Sequence, residues 1–162
     1  MDFPVPALVG QAAGLPSATT GEPPAPPLLT VFTTRIDTIF GCTFMAIAPD
    51  HPLAARIATA GGTTAQLRQF AVECAREAVE YGVAEDKPKR GLRLGVDCIN
   101  SFNGEAIPIF ATNYVVSDFG TGAVMAVPAH DTRDHAFALE YGLPIRQVIV
   151  RRYGDVVRPH RL

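Results

Sequence analysis

GTGAVMAVPAHDTRD, the stretch from Gly120 to Asp134, predicts a strand that runs directly into a helix. A Gly-x-Gly turn comes first. The small apolar residues after it predict a strand over Gly122–Val127 that another element or a ligand can approach closely. Asp131 then fits the N-cap of a helix over Thr132–Tyr141, which Gly142 ends. This junction places polar side chains at the point where a buried strand stops.

The rest of the chain shows many short strands and one longer helix. Apolar residues at three- and four-residue spacing predict a helix over Ala65–Tyr81, and Asn103-Gly104 is a hairpin signal. Runs of β-branched and apolar residues predict further strands at Leu28–Thr34, Thr43–Ala48, Ile107–Phe110, Tyr114–Val116 and Gln147–Val150. The predicted fold class is therefore mixed α/β (α+β), a compact β-barrel-like core of short strands with flanking helices.

The first 27 residues are unusual because seven of the 14 prolines fall between Pro4 and Pro27. Proline lacks the N–H that a sheet ladder needs, so this stretch cannot be a central strand. We expect a short edge strand within Asp2–Val9 and a Pro-rich loop over residues 10–27, in the same single domain as a core over residues 28–162. The abrupt beginning of the chain favours a piece of a longer protein.

Composition and charge narrow the possible functions. A hydrophobic fraction of 48% fits a globular protein, and a net charge of −2 lacks the basic excess of a protein that coats a duplex. Any nucleic-acid contact should therefore be a pocket for a strand end. No apolar run is long enough to span a membrane, and no signal peptide is recognisable. The widely spaced Cys42, Cys74 and Cys98 indicate reduced thiols, and we expect a cytoplasmic protein.

A threonine-rich segment, TTRIDT at residues 33–38, is the first candidate site. Its hydroxyls can hold a ribose, a water and a carbonyl oxygen, because each both donates and accepts hydrogen bonds. The planar guanidinium of Arg35 suits a phosphate or a carboxylate. The spacing alone equally allows a strand end followed by a turn, with Arg35 and Asp37 paired on the surface.

Asp131 and Asp134 form the second candidate site, three residues apart in the first turn of the predicted helix. The helix dipole would keep a carboxylate there ionised, which suits binding an ammonium group or orienting a water. The alternative is a capping box with a structural Asp at its third position. The spacing of His130 and His135 matches no common zinc motif, so we expect no metal and no cofactor.

Four segments resemble the editing domain of leucyl-tRNA synthetase, the connective polypeptide 1 insertion of this class Ia family. Residues 33–41, TTRIDTIFG, are similar to its Thr-Thr-Arg-Pro-Asp-Thr-x-x-Gly segment. Residues 50–53 and 103–109, DHPL and NGEAIPI, match two further motifs. Residues 120–134 carry the leucyl version of a run that the valyl and isoleucyl relatives share only in general form. The resemblance covers roughly residues 28–150.

The resemblance implies the shared fold of these editing domains and a reaction. The reaction is hydrolysis of the ester that joins a wrong aliphatic amino acid (isoleucine, norvaline or methionine-like) to the 3′ adenosine of leucine tRNA. It implies four catalytic residues. Asp134 receives the α-ammonium group and Asp131 steadies the site, while Thr33 and Thr34 contact the terminal ribose and the attacking water.

The implied substrate-binding residues surround these groups. Arg35 holds the tRNA 3′ end, and Thr38 crowds the amino-acid pocket so that leucine does not fit. The others are Val124 and Met125 lining that pocket, Phe119 at its rim, and His130 and Arg133 beside it.

The resemblance also implies partners and leaves alternatives open. The partners are the 3′ end of a mischarged leucine tRNA and the remainder of a synthetase in cis, with no membrane, and we expect a monomer. The chain has no His-x-Gly-His or Lys-Met-Ser-Lys-Ser signature, so we expect no aminoacylation. A binding module that holds the charged 3′ end without hydrolysing it, or an inactive structural fragment, fits the same motifs.

Overall fold

A computed structural model describes residues 1–8, 26–81, 88–118, 120–153 and 156–159. Their strands are β1 (Asp2–Pro4), β2 (Leu28–Thr30), β3 (Phe44–Ile47), β4 (Gly91–Ile99), β5 (Ala106–Thr112), β6 (Ala123–Ala126), β7 (Val150–Tyr153) and β8 (Val156–Pro159). Their helices are α1 (Ala54–Ala60), α2 (Thr64–Tyr81) and α3 (Thr132–Tyr141), with 3₁₀ helices at Pro6–Leu8 and Ile36–Gly41.

The central sheet has four strands in the order β4-β5-β3-β6. The β3 strand runs parallel to β5 and antiparallel to β6, and all four of its residues are buried, as expected of an interior strand covered on both faces. Two smaller sheets pair β1 with β2 and β7 with β8. The predicted mixed α+β class with short strands is confirmed, and the described sheets are open rather than closed into a barrel.

Most predicted elements are present, with some corrections. The strand predicted over Leu28–Thr34 ends at Thr30. The helices over Ala65–Tyr81 and Thr132–Tyr141 and the strands over Thr43–Ala48 and Gly122–Val127 match observed elements closely. Tyr114–Val116 is not a strand, because Val115 packs its side chain among aromatic residues instead of pairing its backbone. The strand predicted from residue 147 begins only at residue 150. The short helix α1 was not predicted.

The N-terminal residues join the common core. Antiparallel pairing of β1 with β2 places Phe3 against Leu29, and both are buried with Val5 and Leu8. Residues 10–25 of the predicted Pro-rich loop lie outside the described residues, and the division at residue 27 remains a prediction.

Two clusters of side chains position α3. The larger core fills one side of the sheet, and an aromatic cluster fills the other. In the aromatic cluster Phe137 of α3 stacks on Phe44 at 5.0 Å between ring centroids and on Tyr141 at 4.2 Å. Phe110 meets Phe137 edge to face at 5.4 Å. Such pairs add to the burial of their apolar area and fix α3 on the sheet.

A close backbone contact fixes α1 against β4. A Cβ on Gly61, which follows α1, would lie 1.7 Å from the carbonyl oxygen of Leu94. Gly95 beside it has a φ of +76°, and the register of β4 shifts there by a bulge. Only glycine allows both the contact and the left-handed backbone.

The cysteines carry thiols and form no disulfide, as predicted. Cys42 and Cys98 are fully buried, and Cys74 is half-buried. Within the described part of the chain, no helix combines the length and apolarity needed to cross a membrane.

Candidate functional site

The threonine-rich segment, residues 33–38, folds back on itself after β2. The Thr33 hydroxyl accepts a hydrogen bond from the backbone N–H of Arg35 at 3.0 Å. The backbone carbonyl of Arg35 accepts from both the hydroxyl of Thr38, at 2.7 Å, and its N–H, at 3.1 Å. Thr38 has no exposed surface, whereas Thr34 and Arg35 are exposed. Thr38 is therefore packed inside the fold and bonded to the backbone of its own segment.

The guanidinium of Arg35 binds the carboxylate of Asp37, with Nε 3.0 Å from Oδ1 and Nη2 3.1 Å from Oδ2. The two side chains are 55% and 52% exposed, so the pair contributes little to stability. This is the surface ion pair that the spacing also allowed. The hydrogen bond from Arg35 is the main cause that lowers the pKa of Asp37. The same planar fork suits a phosphate, which could take the place of Asp37.

Asp131 caps α3, as predicted. Its Oδ1 accepts from the backbone N–H groups of Arg133, at 2.8 Å, and Asp134, at 3.2 Å. The guanidinium of Arg133 lies 3.7 Å from the same oxygen. The full capping box does not form, because the Asp134 side chain reaches past the cap to another backbone N–H.

The carboxyl group of Asp134 has two hydrogen-bond partners. The backbone N–H of Val127 donates to its Oδ2 at 2.9 Å, and the hydroxyl of Tyr114 lies 3.4 Å from its Oδ1. Asp134 is only 6% exposed. Burial first, and the charge of Asp131 second, raise the pKa of Asp134 from 3.8 to about 7, against the opposing effects of Val127, Arg133 and Tyr114. Burial therefore opposes the ionisation that the helix dipole was expected to favour at this carboxyl. Such perturbed carboxyl groups mark candidate functional sites.

The two polar segments lie side by side. The backbone N–H of Thr43, just beyond the 3₁₀ helix Ile36–Gly41, donates to the carbonyl of Ala126 at 3.2 Å. Phe32, just before the threonines, lies 3.9 Å from the position that a Cβ on Gly120 would occupy. Pairing of β3 with β6 thus brings together the two segments that are about 90 residues apart in sequence.

Val124 and Met125 are neighbours on β6 and point to opposite faces of the sheet. Val124 packs against the aromatic cluster that also contacts Tyr114. Met125 belongs to the larger core on the other face and is 7% exposed. A pocket confined to one face would contact only one of the two side chains predicted to line it.

His130 lies at the same edge of the site. Its Nε2 accepts from the backbone N–H of Val148 at 3.2 Å. Phe119, predicted at the pocket rim, lies outside the described residues. Among the described residues, no three His, Cys, Asp or Glu side chains are arranged to hold a metal ion.

Sequence reasoning missed two supports of the site. Tyr114 was placed in a strand, with no role at Asp134. His51 lies in the turn before α1, where its ring donates to the carbonyl of Thr121 and its Nδ1 accepts from the N–H of Leu53 at 3.1 Å. Ser117 also bonds to the carboxylate of Asp50. The DHPL motif therefore contacts the Gly-Thr-Gly turn through His51.

Comparison with known proteins gives one consistent family. The family model described as leucyl-tRNA synthetase, editing domain, matches residues 17–160. Leucine–tRNA ligases from Crocosphaera subtropica and Picosynechococcus sp. are 51% and 48% identical over 81% and 77% of this chain, each match covering 15% of the relative. A crystal structure of Agrobacterium radiobacter LeuRS in a ternary complex with tRNA and LeuAMS superposes with a TM-score of 0.62 at 30% identity. The superposition covers 98% of this chain and 16% of the Agrobacterium chain.

The fold and the paired polar segments thus define an aminoacyl-tRNA synthetase editing domain. More specifically, the chain belongs to the leucyl-tRNA synthetase editing-domain family. It spans about a sixth of the length of the relatives it matches.

Proposed function

We propose that this chain hydrolyses the ester between a non-cognate aliphatic amino acid and the 3′ adenosine of leucine tRNA. Water adds to the ester carbonyl carbon, the bond to the ribose oxygen breaks, and the products are the free amino acid and tRNA with its hydroxyl restored. A positioned water, helped by the free neighbouring hydroxyl of the tRNA, suffices for an activated ester.

The observation that supports the proposal is the buried carboxyl of Asp134, which follows the strand that pairs with β3, the strand after the threonine-rich segment. An arriving α-ammonium group favours the ionised form of Asp134, because an opposite charge nearby stabilises a carboxylate. The hydroxyl of Thr33 accepts from Arg35 but keeps its own O–H, so it can still donate to the ribose or the ester. Thr34 is exposed and available to the same ligand.

An editing site must exclude leucine, because the site of a synthetase that attaches the amino acid to the tRNA cannot fully reject similar side chains. A pocket rejects a similar aliphatic side chain by only about 1–3 kcal/mol per methylene, so a second sieve must reject the correct amino acid by clash. The proposal assigns that role to Thr38, whose hydroxyl is fixed to the Arg35 carbonyl within the threonine-rich segment.

The proposal includes the wider setting. The 3′ end of leucine tRNA is the partner, the rest of a synthetase chain stands in cis, and the protein works as a cytoplasmic monomer. Its net charge of −2 leads us to expect weak tRNA binding by this chain alone.

The test is deacylation of isoleucyl- and leucyl-tRNA by the protein and its Asp134→Asn variant. The variant keeps an oxygen for the Val127 N–H but loses the charge, so we expect at least a tenfold loss of isoleucyl-tRNA hydrolysis, since hydrogen bonds to charged groups contribute about 1.5–3 kcal/mol. Asp97→Asn is the matched control, because Asp97 lies on β4, at the opposite sheet edge from β6, where it pairs with Arg93.

Three other outcomes would each contradict a part of the proposal. Equal rates for the protein and its Asp134→Asn variant would remove Asp134 from the mechanism. Binding of isoleucyl-tRNA without hydrolysis would indicate a binding module instead. Neither binding nor hydrolysis would indicate a structural fragment.

A further inference from the structure

The carboxylate of Asp134 is held by one backbone donor and one side-chain donor. The N–H of Val127, the residue after β6, donates to Oδ2 at 2.9 Å, and the Tyr114 hydroxyl makes a longer contact of 3.4 Å with Oδ1 from the loop after β5. Tyr114 belongs to none of the motifs that identify the family in this sequence.

The ring of Tyr114 is itself held in place. It meets the ring of Phe137 edge to face at 5.8 Å between centroids. The residue before it, Asn113, anchors the loop by accepting from the backbone N–H of Arg90 at 2.9 Å and donating to the carbonyl of Pro88 at 3.1 Å. The hydroxyl is therefore aimed at Asp134 by the fold, independently of any ligand.

We propose that Tyr114 is a positioning residue that orients the Asp134 carboxylate to receive the α-ammonium group of the aminoacyl ester. The proposal rests on the proposed function of Asp134 as the ammonium-binding group. With one donor on each oxygen, the carboxylate cannot rotate freely, and its remaining lone pairs face one fixed direction.

The charges around Asp134 show why a second donor matters. Asp131 disfavours the ionised carboxylate and Arg133 favours it, both from α3 and its cap. From the segment before β3, the buried Cys42 thiol also faces Asp134. The Tyr114 hydroxyl favours the ionised form. Burial raises the pKa of Tyr114 itself, so it remains a donor throughout the neutral range.

The main test compares Tyr114→Phe with Tyr141→Phe in the deacylation assay. Tyr141 stacks on the same Phe137, but its hydroxyl bonds the backbone of Gly91, so this control removes a hydroxyl from the same cluster away from Asp134. We expect Tyr114→Phe to raise KM roughly three- to tenfold with little change in kcat. We also expect the midpoint of its kcat/KM pH profile to move to higher pH, and both readouts of Tyr141→Phe to match the unmodified protein.

A purely structural role for Tyr114 would lower stability without moving the pH midpoint, and a coincident pH profile for Tyr114→Phe would overturn the inference. Replacing Tyr114 by 3-fluorotyrosine provides a second test if Tyr114→Phe does not fold. This more acidic phenol of nearly the same shape should move the midpoint to lower pH.

Carbon-13 NMR titration of the Asp134 carboxyl needs no activity. Its midpoint should rise in Tyr114→Phe and stay unchanged in Tyr141→Phe, and an unchanged midpoint in both would reject the inference. An inactive protein with a shifted Asp134 titration would refute the proposed function alone, so the two failures can be told apart.

Discussion

Asp134 accepts a hydrogen bond from the backbone N–H of Val127, at 2.9 Å, across the turn that joins β6 to α3. The contact ties the end of a buried strand to the first turn of a helix through a side chain that is 6% exposed. One carboxyl thereby has two consequences. It links the end of β6 to the start of α3 by a hydrogen bond, and it places a titratable group where burial opposes its ionisation.

Stability should fall as pH rises from about 4 to 7 because of Asp134. Its pKa is raised from 3.8 to about 7, so its contribution is fully present below the unfolded value and is lost as pH rises through the folded one. Asp134→Asn removes this dependence. Between the unfolded and folded pKa values of Asp134, the free energy of unfolding of the unmodified protein should fall relative to the variant by about 1.4 kcal/mol per pH unit. Urea unfolding at pH 4, 5.5 and 8 measures it. Parallel stability curves for the two proteins would show that Asp134 does not titrate in this way.

Thr38→Ala should admit leucine to the site, and Thr38→Val should not. Valine preserves the shape of the buried side chain, and the Arg35 carbonyl keeps the Thr38 N–H as its donor at 3.1 Å. Alanine removes volume beneath the threonine-rich segment. We expect leucyl-tRNA hydrolysis to rise about 10- to 100-fold in the alanine variant alone, measured with charged leucine tRNA. A similar rise in both variants would assign the exclusion to the hydroxyl rather than to bulk.

Asp131→Ala should cost about 1 kcal/mol of stability, because two backbone N–H groups at the start of α3 lose their acceptor. Asp131→Ser keeps a capping oxygen and should recover most of that loss. Loss of the Asp131 charge should also lower the pKa of Asp134 in both variants, since that charge is the second largest cause of its shift. Chemical denaturation and the Asp134 titration measure the two effects separately. Equal stability of the alanine and serine variants would argue against the cap.

Gly61→Ala should destabilise the protein by more than about 3 kcal/mol, since the new Cβ would lie 1.7 Å from the Leu94 carbonyl oxygen. Gly62→Ala is the matched control. Its φ is +72° but no atom lies within 4 Å of an added Cβ, so it should cost only about 1–2 kcal/mol of backbone strain. Thermal and urea unfolding rank the two. A larger loss at Gly62 would refute the close contact between α1 and β4.

Local signals account for much of the fold. The end of α3 was predicted because Gly142 adopts the left-handed conformation that helix C-termini favour, with a φ of +63°. The signal for α1 was too weak, since its seven residues make only about two helical turns, too few to show a helical period. Residues 114–116 were misassigned because an apolar run predicts burial, and only tertiary packing decides whether the backbone pairs.

The candidate site was predictable to the level of its segments. Motifs identified the threonine-rich run and the two aspartates, because their chemistry is carried by residue type and order. The support from Tyr114 and from His51 was not predictable, since it depends on which loops the sheet brings together. The raised pKa of Asp134 has the same origin, because desolvation is a property of the packed structure.

The thiol of Cys42 has no exposed surface, and its pKa is raised to about 12, chiefly by burial and then by the charge of Asp134. A cysteine reacts with an alkylating reagent only when its thiolate can reach the reagent, so this sulfur is protected for as long as its surroundings stay closed. The rate at which Cys42 is alkylated therefore reports how often the structure opens near Asp134. Comparing the alkylation rate of Cys42 with that of the equally buried Cys98 would show whether the region around Cys42 opens locally or only when the whole domain unfolds.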